Sequence, residues 1–462
     1  MGTISMYIEP DILNGTAHLS EIVETLEALV PVGSETRSCI VCDDAMAAKE
    51  HAPCCGADCA RQASTISLKL ATSLPIQDTD ADADHIVRNR EEKAKHAANV
   101  MLAIITHGLN VAIHSRIRCF LLRLSKDSGR IPSSLILKGG TFKLGAQSDR
   151  KDGGFAYVYR AIYNDMPVAA KTIHGIHLED CFPRRKSDDS DETTKIRERA
   201  LTFCYEALVW RTLNHERLNP LLGIFQSVDP GDYMISQWHP DGDALNFLKA
   251  KMKTDERYQW GEEIHERLIC RWLLQVTEGL EHLHGQLVTH GDLHAGNILV
   301  VNRRPAEPDY VDFDILLTDF GLSVLYEENS NQQFSLRAGT FRAPEQIASE
   351  SYEGVSSSGR PTVASDIFSF AALCYQLYTT RKPFQDEYYP DPAGYRRNRA
   401  FVAYELPSRM LIVSIQKQLG HIPVEIPDQL WEIILRCWRR PEERPTLDVI
   451  IGDLKNMERS LS

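Results

Sequence analysis

At 462 residues the chain is long enough for two to three domain-sized units, and it can bury a large core without staples. Its 43% hydrophobic and 25% charged residues are those of an ordinary globular protein, which sets aside disordered and fibrous classes. A formal net charge of -13 argues against a nucleic-acid partner, because phosphate binding calls for a basic footprint.

The amino terminus, MGTISMYIEPDIL, lacks the basic stretch and apolar run of a secretory signal, and Met6 stands where a myristoylation signal after Gly2 wants Ser or Thr. From Leu13 to Val30 apolar residues recur at helical spacing (Leu19, Ile22, Val23, Leu26, Leu29), with Ser20 as a cap. Five of the 11 cysteines then crowd into one segment, CIVCDDAMAAKEHAPCCGADC. Cys39, Cys42, His51, Cys54, Cys55 and Cys59 there are candidate zinc ligands, but the second group has no clean spacing, and buried free thiols are the competing reading. With no secretion signal, a reducing, cytoplasmic setting follows, in which disulfides are rare. The acidic run from Gln77 to His85 reads as a linker, and Glu91 to Leu124 as one long helix or two. His107 and Asn110 interrupt its most apolar part, Ala97 to Ile113, so it falls short of the about 20 uninterrupted residues of a membrane span. Residues 1–130 thus read as a helical N-terminal module with a cysteine-rich segment, suited to a regulatory partner or to assembly.

From Ile131 the texture changes. YVYRAIY and MPVAAKTI alternate as two antiparallel strands joined by an Asn164-Asp165 turn. The polar run from Arg184 to Arg199 reads as an exposed, mobile insert, followed by a helix around Phe203 to Leu213. After Leu245 helical patterns dominate: Leu268 to His284, Ser365 to Thr379, Leu406 to Leu419 and Leu430 to Trp438. The expected architecture is α+β, with a small β-rich lobe (131–238) and a large helical lobe (239–462) after the N-terminal module.

LVTHGDLHAGNILV, residues 287–300, gathers His290, Asp292, His294 and Asn297 between two apolar runs. Taken alone it fits a metal site, a polar turn between buried elements, or one wall of a catalytic cleft. Downstream, LLTDFGLS supplies Asp319, Phe320 and Gly321, and FRAPEQI supplies Ala343, Pro344 and Glu345; upstream, AAK ends a strand at Lys171 and Glu206 lies on the next helix. In that order these motifs resemble the signature set of protein kinases, with Asp292 and Asn297 at the spacing of the catalytic loop. The resemblance covers residues 134–460 and leans towards tyrosine-kinase-like Ser/Thr kinases of fungal type. It extends to Asp366 as a buried helix carboxylate and to Arg444 as the partner of Glu345.

The resemblance implies a two-lobed fold, ATP and Mg²⁺, and a protein substrate. Lys171 would contact the nucleotide's phosphates, held by Glu206; Asp319 and Asn297 would ligate Mg²⁺; Asp292 would accept or orient the proton of the acceptor hydroxyl. Gly153, Gly154, Val158 and Ala169 would line the nucleotide with Ser236 as gatekeeper and Gln237, Trp238 and His239 as the hinge. His290 would pack under Phe320. The sequence also departs from the pattern. Lys151 and Ala156 replace two glycines of the phosphate-covering loop, Gly291 stands where many kinases carry arginine, and His294 replaces a lysine common in Ser/Thr kinases. The segment between Thr340 and Ala343 is short, and Ser323, Tyr326, Ser330, Ser335 and Thr340 offer hydroxyls between Asp-Phe-Gly and Ala-Pro-Glu. These departures keep two alternatives in view: a pseudokinase scaffold or nucleotide-binding regulator, and a small-molecule phosphotransferase of the same fold.

Overall fold

The computed structural model describes residues 131–145, 151–153, 156–173, 176–178, 191–227, 231–302, 313–320, 324–325, 341–347, 360–383 and 426–461, with single positions at 98, 102, 118, 121, 122 and 125. The chain divides into two compact units, Met1–Ser133 with Glu327–Asn329, and Ser134–Tyr326 with Ser330–Ser462. In the first, Ala98, Leu102, Arg118, Leu121, Leu122 and Ser125 are helical and buried. The remainder of the expected helical module, the cysteine segment included, lies outside the described residues, and six positions do not establish a module.

The second unit opens with a six-stranded antiparallel sheet. Its strands are β1 (Phe142–Leu144), β2 (Lys151–Gly153), β3 (Ala156–Tyr163), β4 (Met166–Thr172), β5 (Leu221–Phe225) and β6 (Tyr233–Gln237), in the order β1-β3-β4-β6-β5 with β2 on β3. The β3–β4 hairpin turns through Asn164 and Asp165, both left-handed at φ 49 and 62, the two-residue geometry whose twist matches that of the strands. Strand period then sorts the side chains. Tyr159, Ala161, Tyr163, Val168, Ala170, Tyr233 and Ile235 form a buried cluster, while Ala169 and Lys171 fall on the alternate positions of β4.

Helix α1 (Asp191–Arg211) packs along β5. It begins inside the polar run that composition reads as a mobile insert. That stretch holds no glycine or proline after Asp191 and opens on two acidic residues, which favour a helix N-terminus, and residues 195–199 are exposed before Ala200 turns inward.

The helical part comprises α2 (Ala244–Thr254), α3 (Glu263–Gly285), the short α4 (Pro344–Ile347), α5 (Val363–Thr379), α6 (Asp428–Cys437) and α7 (Leu447–Ser460). Asp243 caps α2, accepting from Asn246 N at 3.0 Å. Helix α5 is apolar nearly all round and is buried accordingly, and it starts with a reciprocal capping box between Thr362 and Ser365. The short strands β7 (Val288–Thr289), β8 (Ile298–Asn302), β9 (Phe313–Leu317) and β10 (Val324–Leu325) pair as β8–β9 and β7–β10. The helix expected at Leu406 to Leu419 lies outside the described residues. No helix among the described residues is long and apolar enough to cross a membrane.

Candidate active site

Four elements bring the chemistry together. Strand β4 delivers Lys171, α1 delivers Glu206, the turn between β7 and β8 carries Asp292 and Asn297, and the end of β9 leads into Asp319. Lys171 Nζ lies 2.5 Å from Glu206 Oε1 and 2.6 Å from Asp319 Oδ1. Burial works against the lysine's charge, but the Asp319 and Glu206 carboxylates outweigh it and hold its pKa above the usual lysine range. For Glu206, burial raises the pKa against the attraction of Lys171, and Asp319 adds repulsion. Asp319 takes a left-handed backbone at φ 66, a conformation costly for a residue with a Cβ, and it keeps 41% of its side chain exposed. Phe320 beside it is buried between the Trp210 ring of α1 at 6.0 Å and the His290 ring at 5.6 Å, the packing expected for His290.

The loop carrying Asp292 is fixed by a carboxylate from α5. Asp366 is wholly buried and accepts from His290 N at 2.8 Å and Gly291 N at 2.9 Å, with His284 Nε2 at 2.8 Å. Gly291 sits at φ +78, where a side chain is strained, so the glycine suits the bend that Asp366 imposes. Burial lowers the pKa of His290. Asn297 Nδ2 donates to Asp292 O at 2.8 Å, an arrangement that holds the two ends of the loop together.

His294 caps its own turn, its Nδ1 accepting from Gly296 N at 3.0 Å; a Cβ on residue 296 would meet that ring at 2.8 Å, which only glycine avoids. With Nδ1 engaged by Gly296, the other ring nitrogen, Nε2, faces Asp292 Oδ2 at 3.9 Å.

At the hinge side, Ala169 pairs with Ser236 across β4 and β6, Ser236 is buried and Gln237 is exposed. Trp238 follows, its ring 5.8 Å below the Arg160 guanidinium. His239 is buried, which lowers its pKa to about 4, and its Nε2 lies 3.4 Å from Asn219 Oδ1. Val158 pairs with Lys171 and Gly153 with Ala156, whereas Gly154, Gly321 and Thr340 lie outside the described residues, as do Ser323, Tyr326, Ser330 and Ser335. Farther down, Arg444 grips Glu345 through two bonds of 2.5 and 2.9 Å, the pairing expected from the sequence.

Asn219 has no place among the expected site residues, yet it is a polar junction. Its backbone N donates to Leu317 O at 2.8 Å, its carbonyl accepts from Trp210 Nε1 at 2.6 Å, and its side chain reaches Thr318 and His239 at 3.4 Å each. It therefore links the helix of Glu206, the strand before Asp319 and the hinge.

The donor chemistry suits a hard cation. Asp319 offers a carboxylate, and Asn297, having used Nδ2 on Asp292, retains its amide oxygen, while no cluster of three or more His, Cys, Asp or Glu occurs among the described residues. Mg²⁺ is characteristically held by one or two protein oxygens together with phosphate oxygens, so this sparse pair fits it.

The profile of the family "Protein tyrosine and serine/threonine kinase" matches residues 151–454. Among curated proteins, the chain is 25% identical over 321 residues to the dual specificity protein kinase zakA of Dictyostelium discoideum, covering 66% of this chain and 34% of that one. It is 24% identical over 316 residues to mitogen-activated protein kinase kinase kinase 10 of Xenopus laevis (67% and 26%) and over 316 residues to a light-sensor protein kinase of Ceratodon purpureus (66% and 21%). The chain thus matches about a third or less of the length of these relatives.

Proposed function

Because this chain belongs to the protein tyrosine and serine/threonine kinase family, we propose that it transfers the terminal phosphoryl group of ATP to a hydroxyl of a protein substrate, a serine or threonine. The observation that carries the reading is Lys171 bridging Glu206 and Asp319 at 2.5 and 2.6 Å, with Asp292 and Asn297 joined on the loop between β7 and β8. A scaffold has no chemical need for all five groups.

In this scheme Lys171 holds the α and β phosphates, and Glu206 fixes its direction. Gly153, Gly154, Val158 and Ala169 line the nucleotide, with Ser236, Gln237, Trp238 and His239 along the adenine side. Mg²⁺, on Asp319 and Asn297, would neutralise phosphate charge and orient the terminal group. The acceptor oxygen forms its bond to the γ phosphorus as the bond to the β–γ bridging oxygen breaks, and ADP leaves. The hydroxyl proton passes to the Asp292 carboxylate. Positioning and charge neutralisation carry most of such a reaction, which is why rigidly placed carboxylates and a lysine suffice.

The order of the chain supports a β-rich lobe at 131–238 and a helical lobe at 239–462, and residues 1–130 would meet a regulatory partner in the cytoplasm. Transfer of radiolabelled phosphate from Mg·ATP to a protein acceptor tests the activity. Asp292→Asn and Asp319→Asn should each reduce it by about 1,000-fold or more. If both variants matched the wild type, the mechanism would be wrong. A nucleotide-dependent rise in melting temperature without any transfer would favour the scaffold.

A further inference from the structure

Arg342 has no duty in this scheme, and its surroundings are unusual for an arginine. The residue is 6% exposed, and its Nη2 is buried with no hydrogen-bond partner. Burial lowers its pKa, opposed by the attraction of the Asp292 carboxylate nearby. A buried donor without a partner destabilises a protein, more so when it is charged, and a native structure that keeps one calls for a reason.

The backbone around it is clamped beside the catalytic loop. Ser369 Oγ of α5 donates to Phe341 O at 2.8 Å, the Phe341 ring lies 5.6 Å from the His294 ring, and Ala343 N donates to Gln346 Oε1 at 3.1 Å. Two residues beyond Ala343, Glu345 is gripped by Arg444. Arg342 is therefore held beside the loop of His294 and Asp292 by its neighbours on both sides.

The charge balance of the cleft says what such a cation could serve. Lys171 is engaged by two carboxylates, and His294, standing where many Ser/Thr kinases carry a lysine, has its Nδ1 committed to capping Gly296. Arginine keeps its proton under ordinary conditions and presents N–H groups in a geometry that matches phosphate oxygens. A phosphoryl group moving from ATP to an acceptor, with ADP as leaving group, spreads negative charge over three oxygens at the point where Asp292 meets the hydroxyl.

We propose that Arg342 is a catalytic residue whose Nη2 donates to an oxygen of the phosphoryl group in transit beside Asp292, supplying a fixed charge in a loop that has His294 in place of a lysine. The assignment rests on the phosphotransfer reading and names a residue outside it. Because the contact is made in the transition state, its loss falls on kcat more than on nucleotide binding.

The test compares wild type, Arg342→Gln, Arg342→Lys and the double variant Arg342→Gln/His294→Lys in the full chain, with labelled Mg·ATP and dephosphorylated casein. Arg342→Gln should lower kcat about 100-fold while the KM for ATP and the ATP-induced rise in melting temperature stay within about twofold. Arg342→Lys should retain more activity than the glutamine, and the added lysine at 294 should recover about tenfold. Unchanged kcat in Arg342→Gln overturns the proposal, as does a loss that neither lysine relieves and that comes with a loss of the ATP-induced shift, since the arginine would then be structural. Absence of transfer by the wild type while ATP still raises its melting temperature would remove the kinase reading itself, and the proposal with it.

Discussion

Lys171, Glu206 and Asp319 meet as charges delivered by three elements, whereas Asp292 and Asn297 sit on a loop whose backbone is tied to Asp366 in the first turn of α5. The first wall depends on ion pairs within a partly open cleft, with Asp319 41% exposed on its side chain. The second depends on neutral and charged hydrogen bonds inside a helical core, with Asp366 at 0%. Lys171 and Glu206 are buried, but Lys171 has two carboxylate partners and keeps one if the other is lost; a buried carboxylate accepting backbone N–H groups has no such reserve. The two walls thus hold their catalytic groups by different means.

The sharpest way to break this contrast is Asp366→Ala. Losing the acceptor of His290 N, Gly291 N and His284 should cost about 3–5 kcal/mol of stability, read as a fall in the urea midpoint, and activity should fall with it. An unchanged midpoint would mean that Asp366 does not anchor the loop.

Acid is the next lever, and it acts on buried histidines rather than on the ion triad. Burial holds both His239 and His265 at about 4, below the ordinary value of about 6.5, so the unfolded chain binds more protons than the folded one between those limits. Their stabilising contribution is complete above about pH 6.5 and is lost as pH falls towards 4, roughly 1 kcal/mol each by about pH 5.5. Melting curves across that range should show the loss, and His265→Phe should flatten it; equal slopes would rule the histidine out.

Of the two walls, the smaller structural effect is expected at Glu206→Gln. Lys171 keeps Asp319 and the amide still accepts a hydrogen bond, so stability should change by about 1–2 kcal/mol, less than for Asp366→Ala, while transfer falls about 100-fold through loss of lysine placement. A drop in stability as large as that of Asp366→Ala would erase the distinction between the walls.

What could be read from the chain follows the range of the interactions. The β3–β4 hairpin was legible because alternation and an Asn-Asp turn are local, and the spacing from Asp292 to Asn297 was legible because both lie on one loop. Strand β1, three residues long, is too short to leave a period. The early start of α1 was hidden because a polar helix end and a polar loop share a composition. Asn219 and Arg342 were missed for another reason: each acquires its role from residues roughly 20 to 100 positions away, and neither type carries a local pattern. A prompt existed for Arg342 in the missing lysine at 294, which asks where a replacement charge comes from.

The burial of Asp366 has a consequence for motion. Because one carboxylate satisfies amides of the catalytic loop and lies inside α5, loop and helix belong to a single cooperative unit. The amides of His290 and Gly291 share the fate of the lobe's interior: they meet solvent only through openings large enough to bring Asp366 into water, so fluctuations that leave α5 folded leave Asp292 where it is.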